Sequence, residues 1–215
     1  MNHTPAHPDR LEAVRQHVIE AATKAFHTKG IKNVTMDDIA HSLTMSKRTL
    51  YQAFADKEEL LLACIRQHSE ENDRIVAQHL NESSNVLESI LTLLAQKMKD
   101  MHDIKPSFFN EMLKYPKVTA YFNQKQKMQE NDAVAFLNKG KEQGYFLNDI
   151  NFHIVYNQLT EGINTIMHNE VLANAPQVDV FRNTVLPYIR GCATLKGIEL
   201  MDRFMGEADE KAIGL

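Results

Sequence analysis

Apolar residues along this chain return every three or four positions, and strand-like alternation bounded by turn pairs is not evident. That period belongs to helices. Leu11, Val14, Val18, Ala21, Ala22, Ala25 and Phe26 line one face of a first helix. Gly30 should end it by taking the left-handed C-terminal position. Thr35 then reads as an N-cap, followed by Asp37 and Asp38. Met36, Ile39, Ala40 and Leu43 form one apolar face of a short second helix. Thr44 and Met45 make a tight connection. Ser46 caps a third helix that buries Leu50 and Phe54. Asp56 caps a fourth, with Glu58 and Glu59 in its first turn and Leu60, Leu61, Cys64 and Ile65 behind.

Longer helices are expected over 84–102, 106–114, 116–142, 152–173 and 177–205. Pro106 and Pro116 stand where prolines favour helix starts. Gly144 ends the third of these, Asn151 caps the fourth, and Pro187 should kink or split the last. The pattern predicts an all-α fold of about nine helices. It divides into a polar arm over 1–9, a domain of short helices over 10–56, and a larger helical body over 57–215.

Charge separates the helix starts. A helix N-terminus carries partial positive charge, so acids belong there and bases do not. The second helix opens with Asp37 and Asp38. The fourth opens with Glu58 and Glu59, beside Lys57. The third opens with Lys47 and Arg48 and no acid. These cations either point into water at small cost or await an anion. Two short helices joined by a tight turn favour the second reading, because this is the helix-turn-helix arrangement. Its second helix presents N-terminal residues to the major groove. Arg48 can bind guanine O6 and N7 with two hydrogen bonds, and Lys47 can do so or meet a phosphate. Thr49 can touch a base edge or a thymine methyl, and Tyr51 can offer its hydroxyl to a phosphate. Thr35 and Lys57 lie at flanking helix starts, which attract phosphate.

These residues resemble the N-terminal signature of the TetR-type (tetracycline-repressor) transcriptional regulators. The likeness covers about residues 12–65 and runs through AFHTKGIKNVTMDDIAHSL and TMSKRTLYQAFADKEELL. It rests on the Phe26–Gly30 helix end, Thr35 before Ile39 and Ala40, Ser46, the Thr49-Leu50-Tyr51 run, Phe54, and Lys57 before Leu60 and Leu61. The family usually has Gly where this chain has Thr44, and Thr resists positive φ. The rest of the chain matches only in layout. The resemblance implies a homodimer, a ligand-binding helical domain, and a fourth helix linking ligand to DNA. It also implies DNA contact at Thr35, Ser46, Lys47, Arg48, Thr49, Tyr51 and Lys57, and we add Thr44 from the turn.

The middle helices concentrate Met98, Met101, Phe108, Phe109, Met112, Tyr115, Tyr121, Phe122, Met128 and Phe136. Methionine suits both adaptable pockets and core gaps. Regulators of this type place an effector cavity among such helices. A mostly apolar small ligand there would be lined by Met98, Met101, Phe108, Phe109, Met112, Phe122 and Phe136, with His102, Tyr156 or Gln158 as polar anchors. Toward the C-terminus, Val155, Leu159, Ile163 and Ile166 make one stripe, with Gly162 permitting close approach. Phe181, Val185, Ile189 and Cys192 make another. Both stripes either face the core of one chain or form a dimer seam.

Bulk properties narrow the rest. With 215 residues and a formal net charge of −4, the chain does not coat nucleic acid through overall charge, so any contact is local. Cys64 and Cys192 read as reduced core thiols of a cytoplasmic protein. No apolar run suits a membrane span, and MNHTPAHPDR has no signal-peptide core. Asn33-Val34-Thr35 and Asn81-Glu82-Ser83 match the glycosylation pattern by chance in such a chain. No zinc-protease, phosphate-loop or nucleophile-elbow motif is present, and the ten histidines are scattered. We therefore expect no enzyme, metal or cofactor, and a double-stranded DNA operator, a small-molecule effector and a second copy as partners. A helical interaction module that has lost DNA binding is the alternative.

Overall fold

A computed structural model describes residues 8–82, 85–169 and 175–213. Among them are ten helices: α1 Pro8–Lys29, α2 Met36–Ser42, α3 Lys47–Ala53, α4 Lys57–Glu82, α5 Val86–His102, α6 Pro106–Met112, α7 Pro116–Glu142, α8 Phe152–His168, α9 Gln177–Cys192 and α10 Leu195–Ile213. The expected arm lies outside the described residues up to residue 7, and helix begins at Pro8. The glycosylation-like Ser83 and the stretch 170–174, which includes the end of the helix expected over 152–173, also lie outside them.

The chain packs as two compact units. The first holds residues up to Glu71 together with Asp103–Phe122, and the second holds Asn72–His102 and everything from Asn123 onward. The unit that carries the short helices thus takes in α6 and the start of α7. Its core gathers Val18, Ala22 and Phe26 of α1, Ile39 and Ala40 of α2, Leu50 of α3 and Phe54 just after it, Leu60, Leu61 and Cys64 of α4, Phe108 of α6 and Val118 of α7. Each is a residue the helical period turns inward. Local polar contacts tie the later segment in. Lys105 N–H donates to the His27 carbonyl at 2.9 Å. Lys32 N–H donates to Glu111 Oε2 at 2.7 Å, and Lys117 N–H to Glu58 Oε1 at 2.8 Å. The His27 ring meets Phe108 edge to face at 4.7 Å. Burial, with His68 nearby, holds His27 down at about 4, so it packs as a neutral ring. Burial pushes the Cys64 thiol up to about 11, which keeps it a core group.

The second unit is built on α5, α8, α9 and α10, with α9 packed on both α5 and α8. Its core holds Val86, Leu87 and Leu91 of α5, Val134 of α7, Phe152 of α8, Cys192 of α9 and Met201 of α10, closed by Phe146 and Ala193. One expectation is corrected here. Residues 177–205 are not a single helix, and Pro187 does not split them: it lies inside α9. The break falls at Ala193 and Thr194. There the chain pairs with the segment after α7: Leu147 N–H donates to the Cys192 carbonyl, and Thr194 N–H to the Tyr145 carbonyl, each at 2.9 Å. These bonds from a distant segment decide where the helix stops. Thr194 then caps α10, accepting from Gly197 N–H at 3.2 Å.

Candidate nucleic-acid interface

The turn between α2 and α3 is set by backbone hydrogen bonds. Met45 N–H donates to the Ala40 carbonyl at 2.9 Å and Thr44 N–H to the His41 carbonyl at 3.0 Å. This paired pattern is a Schellman ending, which puts its C′ residue in the left-handed region. Thr44 is that residue, with φ of +51°, the positive-φ non-glycine among the described residues. The same chain ends α7 in the same way: Tyr145 N–H reaches Gly140, Gly144 N–H reaches Lys141, and the C′ residue Gly144 has φ of +76°. Glycine takes that conformation without steric cost, whereas a β-branched residue is strained there by about 1–2 kcal/mol. Part of that cost is offset because glycine loses more backbone entropy on folding. Thr44→Gly should therefore stabilise the protein by about 0.5–1 kcal/mol, raising the melting temperature by roughly 1–4 °C. Thermal unfolding followed by circular dichroism checks this; an unchanged or lower value would mean the threonine is not strained.

The helix starts are capped as their sequence suggests. Ser46 Oγ accepts from Thr49 N–H at 3.1 Å and lies 2.8 Å from Thr49 Oγ1. Thr35 and Asp38 form a reciprocal capping box at the start of α2. Thr35 donates to Asp38 Oδ2 from its N–H at 2.8 Å and from its hydroxyl at 2.6 Å. These bonds hold the Asp38 carboxyl below the usual range.

The two cations at the start of α3 differ. Lys47 Nζ lies 2.6 Å from Asp37 Oδ2, in an exposed ion pair that spans the turn. That hydrogen bond, and the charge behind it, raise the Lys47 ammonium above its ordinary value. The acid at the head of α2 thus serves the base at the head of α3. Sequence reading missed this because it compared each helix with its own dipole; ten residues separate the partners, but the turn folds them together. Arg48 is exposed, with no hydrogen bond or ion pair among the described residues. Tyr51 is half exposed. Lys57 is more committed: its ammonium donates to the Ile31 carbonyl, and burial lowers its pKa. Arg15 closes the far end of α3, donating to the Ala53 carbonyl and lying 4.2 Å over the Phe54 ring.

An exposed ion pair is worth little by itself, but Asp37 competes for a cation that could meet phosphate. Asp37→Asn should tighten binding to non-specific duplex DNA roughly two- to tenfold at low salt, with a gain that shrinks as salt rises. Fluorescence anisotropy at two salt concentrations measures it. Unchanged affinity at both would show that Lys47 does not reach the DNA.

The residues expected to line an effector site are shared between the two units. Phe108 is in the first unit's core, and Phe109, Met112 and Phe122 pack against it. Phe136 and Tyr156 pack against the second unit's core. Met98 and Met101 are half-buried on α5, while His102 and Gln158 are exposed. The Tyr156 hydroxyl donates to the Gln126 main-chain carbonyl at 3.4 Å. Of the expected dimer residues, Val185 and Cys192 are buried. Val155 and Ile189 pack against the same core, and Leu159, Ile166 and Phe181 are half-buried. Gly162 borders open space: a Cβ there would meet nothing within 4 Å. No helix among the described residues is long and apolar enough to cross a membrane. No group of three or more His, Cys, Asp or Glu among them could hold a metal ion.

Comparison with known proteins agrees with this geometry. Residues 18–64 match the family model described as bacterial regulatory proteins, tetR family. The HTH-type transcriptional regulator YvaF of Bacillus subtilis is 37% identical over 82 residues, covering 38% of this chain and 43% of that protein. The chain therefore matches less than half the length of that relative. The HTH-type transcriptional repressor KstR2 of Mycobacterium tuberculosis is 25% identical over 156 residues, 68% of this chain and 76% of that one. The solved structure of that ketosteroid regulator superposes with a TM-score of 0.56 at 21% identity, covering 84% of this chain and 95% of its own. RolR, solved with the ligand resorcinol, gives a TM-score of 0.58 at 18% identity, covering 90% and 93%. At these identities the structural likeness shows the fold alone.

Proposed function

We propose that this chain is a TetR-type, ligand-responsive repressor that reads a palindromic operator as a homodimer, a reading supported by the match of residues 18–64 to the family model described as bacterial regulatory proteins, tetR family. The observation that carries the reading is Arg48. It stands free and exposed in the first turn of α3, where a cation has no local electrostatic reason to be. Every other feature of the turn is spent on holding that helix. The Schellman ending fixes the direction of the chain, Ser46 fixes the first turn, and Leu50 and Phe54 anchor the inner face. A rigid helix whose first turn offers Arg48, Lys47 and Thr49 suits major-groove reading. Thr35, Ser46, Tyr51 and Lys57 then meet the backbone, with Thr44 at the turn, and the DNA displaces Asp37 from Lys47.

One such helix buries too little for tight, specific binding, so two copies pair and read two half-sites, roughly 34–36 Å apart. We assign the pairing to α8 and α9, where Ile154 is 61% and Tyr188 is 39% exposed. A small effector held in the helical body shifts the balance toward a form whose recognition helices no longer match that spacing. Selection of bound duplexes from a random pool tests the core of this. A palindromic consensus, bound by a particle of two chains' mass in light scattering, is the expected result. Recovery of no consensus sequence would favour an interaction module that keeps the fold without reading DNA.

A further inference from the structure

One peptide group in the link between α1 and α2 is held from two later helices. Its carbonyl, that of Ile31, accepts from the Lys57 ammonium at the head of α4 and from Val34 N–H at 3.2 Å. Its N–H, that of Lys32, donates to Glu111 Oε2 on α6 at 2.7 Å. Both lone pairs of the carbonyl and the single N–H are therefore engaged. Lys57 and Glu111 also attract each other across the link: burial lowers the ammonium, and Glu111, ahead of Asp38, works against that. Gly30, just before this peptide, lets α6 come close. It has φ of +83°, and a Cβ there would lie 2.8 Å from Ser107 Oγ and 3.3 Å from Glu111 Oε2. Lys105 N–H, donating to the His27 carbonyl, fastens the start of α6 to the end of α1. The link then runs into Thr35, the cap of α2.

A side chain that reads a base edge must be held within about 0.5 Å of its productive place by the parts around it. Leu50 and Phe54 seat α3 on the core, and the link sets where α2 leaves α1. We propose that Glu111 is a positioning residue for DNA reading: with Lys57 it clamps the Ile31–Lys32 peptide and so fixes α2 and α3, and with them Arg48, against α1. This rests on the operator-reading function above and adds to it a residue outside the helix-turn-helix. Glu111 also lies outside residues 18–64, which match the family model. Its charge makes the role testable by sign. An acid in a DNA-binding unit repels phosphate, so charge alone predicts tighter binding when the acid is removed. The clamp predicts weaker binding to the operator, because a hydrogen bond from N–H to carboxylate is among the stronger ones and its loss frees the link.

Anisotropy of the full-length protein with the selected operator and with an unrelated duplex tests it. Glu111→Ala removes the carboxylate, and Glu111→Asp withdraws it by one methylene while keeping the charge. Each should weaken operator binding roughly five- to thirtyfold, while binding to the unrelated duplex holds or tightens. Glu111→Gln keeps an oxygen at the same reach and should stay within about threefold of the parent. The ratio of the two affinities is the readout, because a variant that merely unfolds lowers both together and leaves their ratio alone. Amide exchange at Lys32 should quicken roughly tenfold or more in Glu111→Ala and Glu111→Asp, but not in Glu111→Gln. The aspartate variant carries the test if the alanine variant does not fold. An unchanged ratio, tighter operator binding, or unaltered Lys32 exchange in Glu111→Asp would each overturn the proposal, as would an equal loss in Glu111→Gln. A parent protein that prefers no duplex removes operator reading instead, and Lys32 exchange then still decides whether Glu111 holds the link.

Discussion

Arg48→Ala should weaken binding to the selected operator by roughly ten- to a hundredfold per half-site, and should relax preference at one base pair in each. The size follows from the contact: a guanidinium donating two hydrogen bonds to a guanine edge is the commonest specific contact in the major groove and is worth about 1–3 kcal/mol of discrimination. The structure gives the substitution little else to disturb. Arg48 has no internal partner among the described residues, and α3 keeps its Ser46 cap and its buried Leu50. Melting temperature should therefore stay within a degree or two of the parent. Competition binding against each single-base variant of the consensus separates the outcomes. A loss concentrated at one position assigns Arg48 to a base. A uniform loss, with the salt slope reduced by about 1, reassigns it to phosphate. No loss at all would take away the observation on which DNA reading rests.

Gly197→Ala should be the most damaging small substitution in the second unit. A Cβ built on Gly197 falls well inside 3.0 Å of the Tyr145 carbonyl oxygen, and 3.1 Å from Ala193 Cβ. Real Cβ atoms essentially never approach so closely. The obstacle is backbone that cannot rotate away. The Tyr145 carbonyl is itself held, accepting from Thr194 N–H at 2.9 Å and from the Thr194 hydroxyl at 3.3 Å. That hydroxyl also donates to the Gly144 carbonyl at 2.7 Å. Alanine's higher helix propensity contributes at most about 1 kcal/mol the other way. Overpacking against a fixed backbone outweighs it, for a net loss of about 2–3 kcal/mol and a fall in melting temperature of roughly 4–12 °C. Gly206→Ala, on α10, is the control. It is also a helical glycine, but with open space where the Cβ would go, so its melting temperature should hold or rise. Equal behaviour of the two variants would show that the close approach at Tyr145 is not a constraint.

The contrast between these sites shows what was legible in the residues. Thr35, Ser46 and Asn151 are helix caps in the structure as their positions suggest, because a cap acts on backbone N–H groups two or three residues away. The inner faces of α1 to α4 were likewise legible, since Val18, Phe26, Ile39, Leu50 and Leu60 recur at helical spacing and are buried. Pro187 lies inside α9 and does not split it, although a proline inside an apolar period commonly marks a break.

The sequence alone determined the helical class, the short helix–turn–helix run, and the positive charge offered at the start of α3, because each follows from period, caps and dipoles acting within a turn or two of chain. Tertiary structure alone decided that Asp37 neutralises Lys47, that α9 ends at Cys192 rather than Pro187, that Gly197 admits no side chain, and that the Lys97 ammonium lies 5.9 Å from the Phe181 ring centroid. Each of these depends on groups brought within a few ångströms by folding from ten to more than eighty residues apart, and no local rule carries that distance.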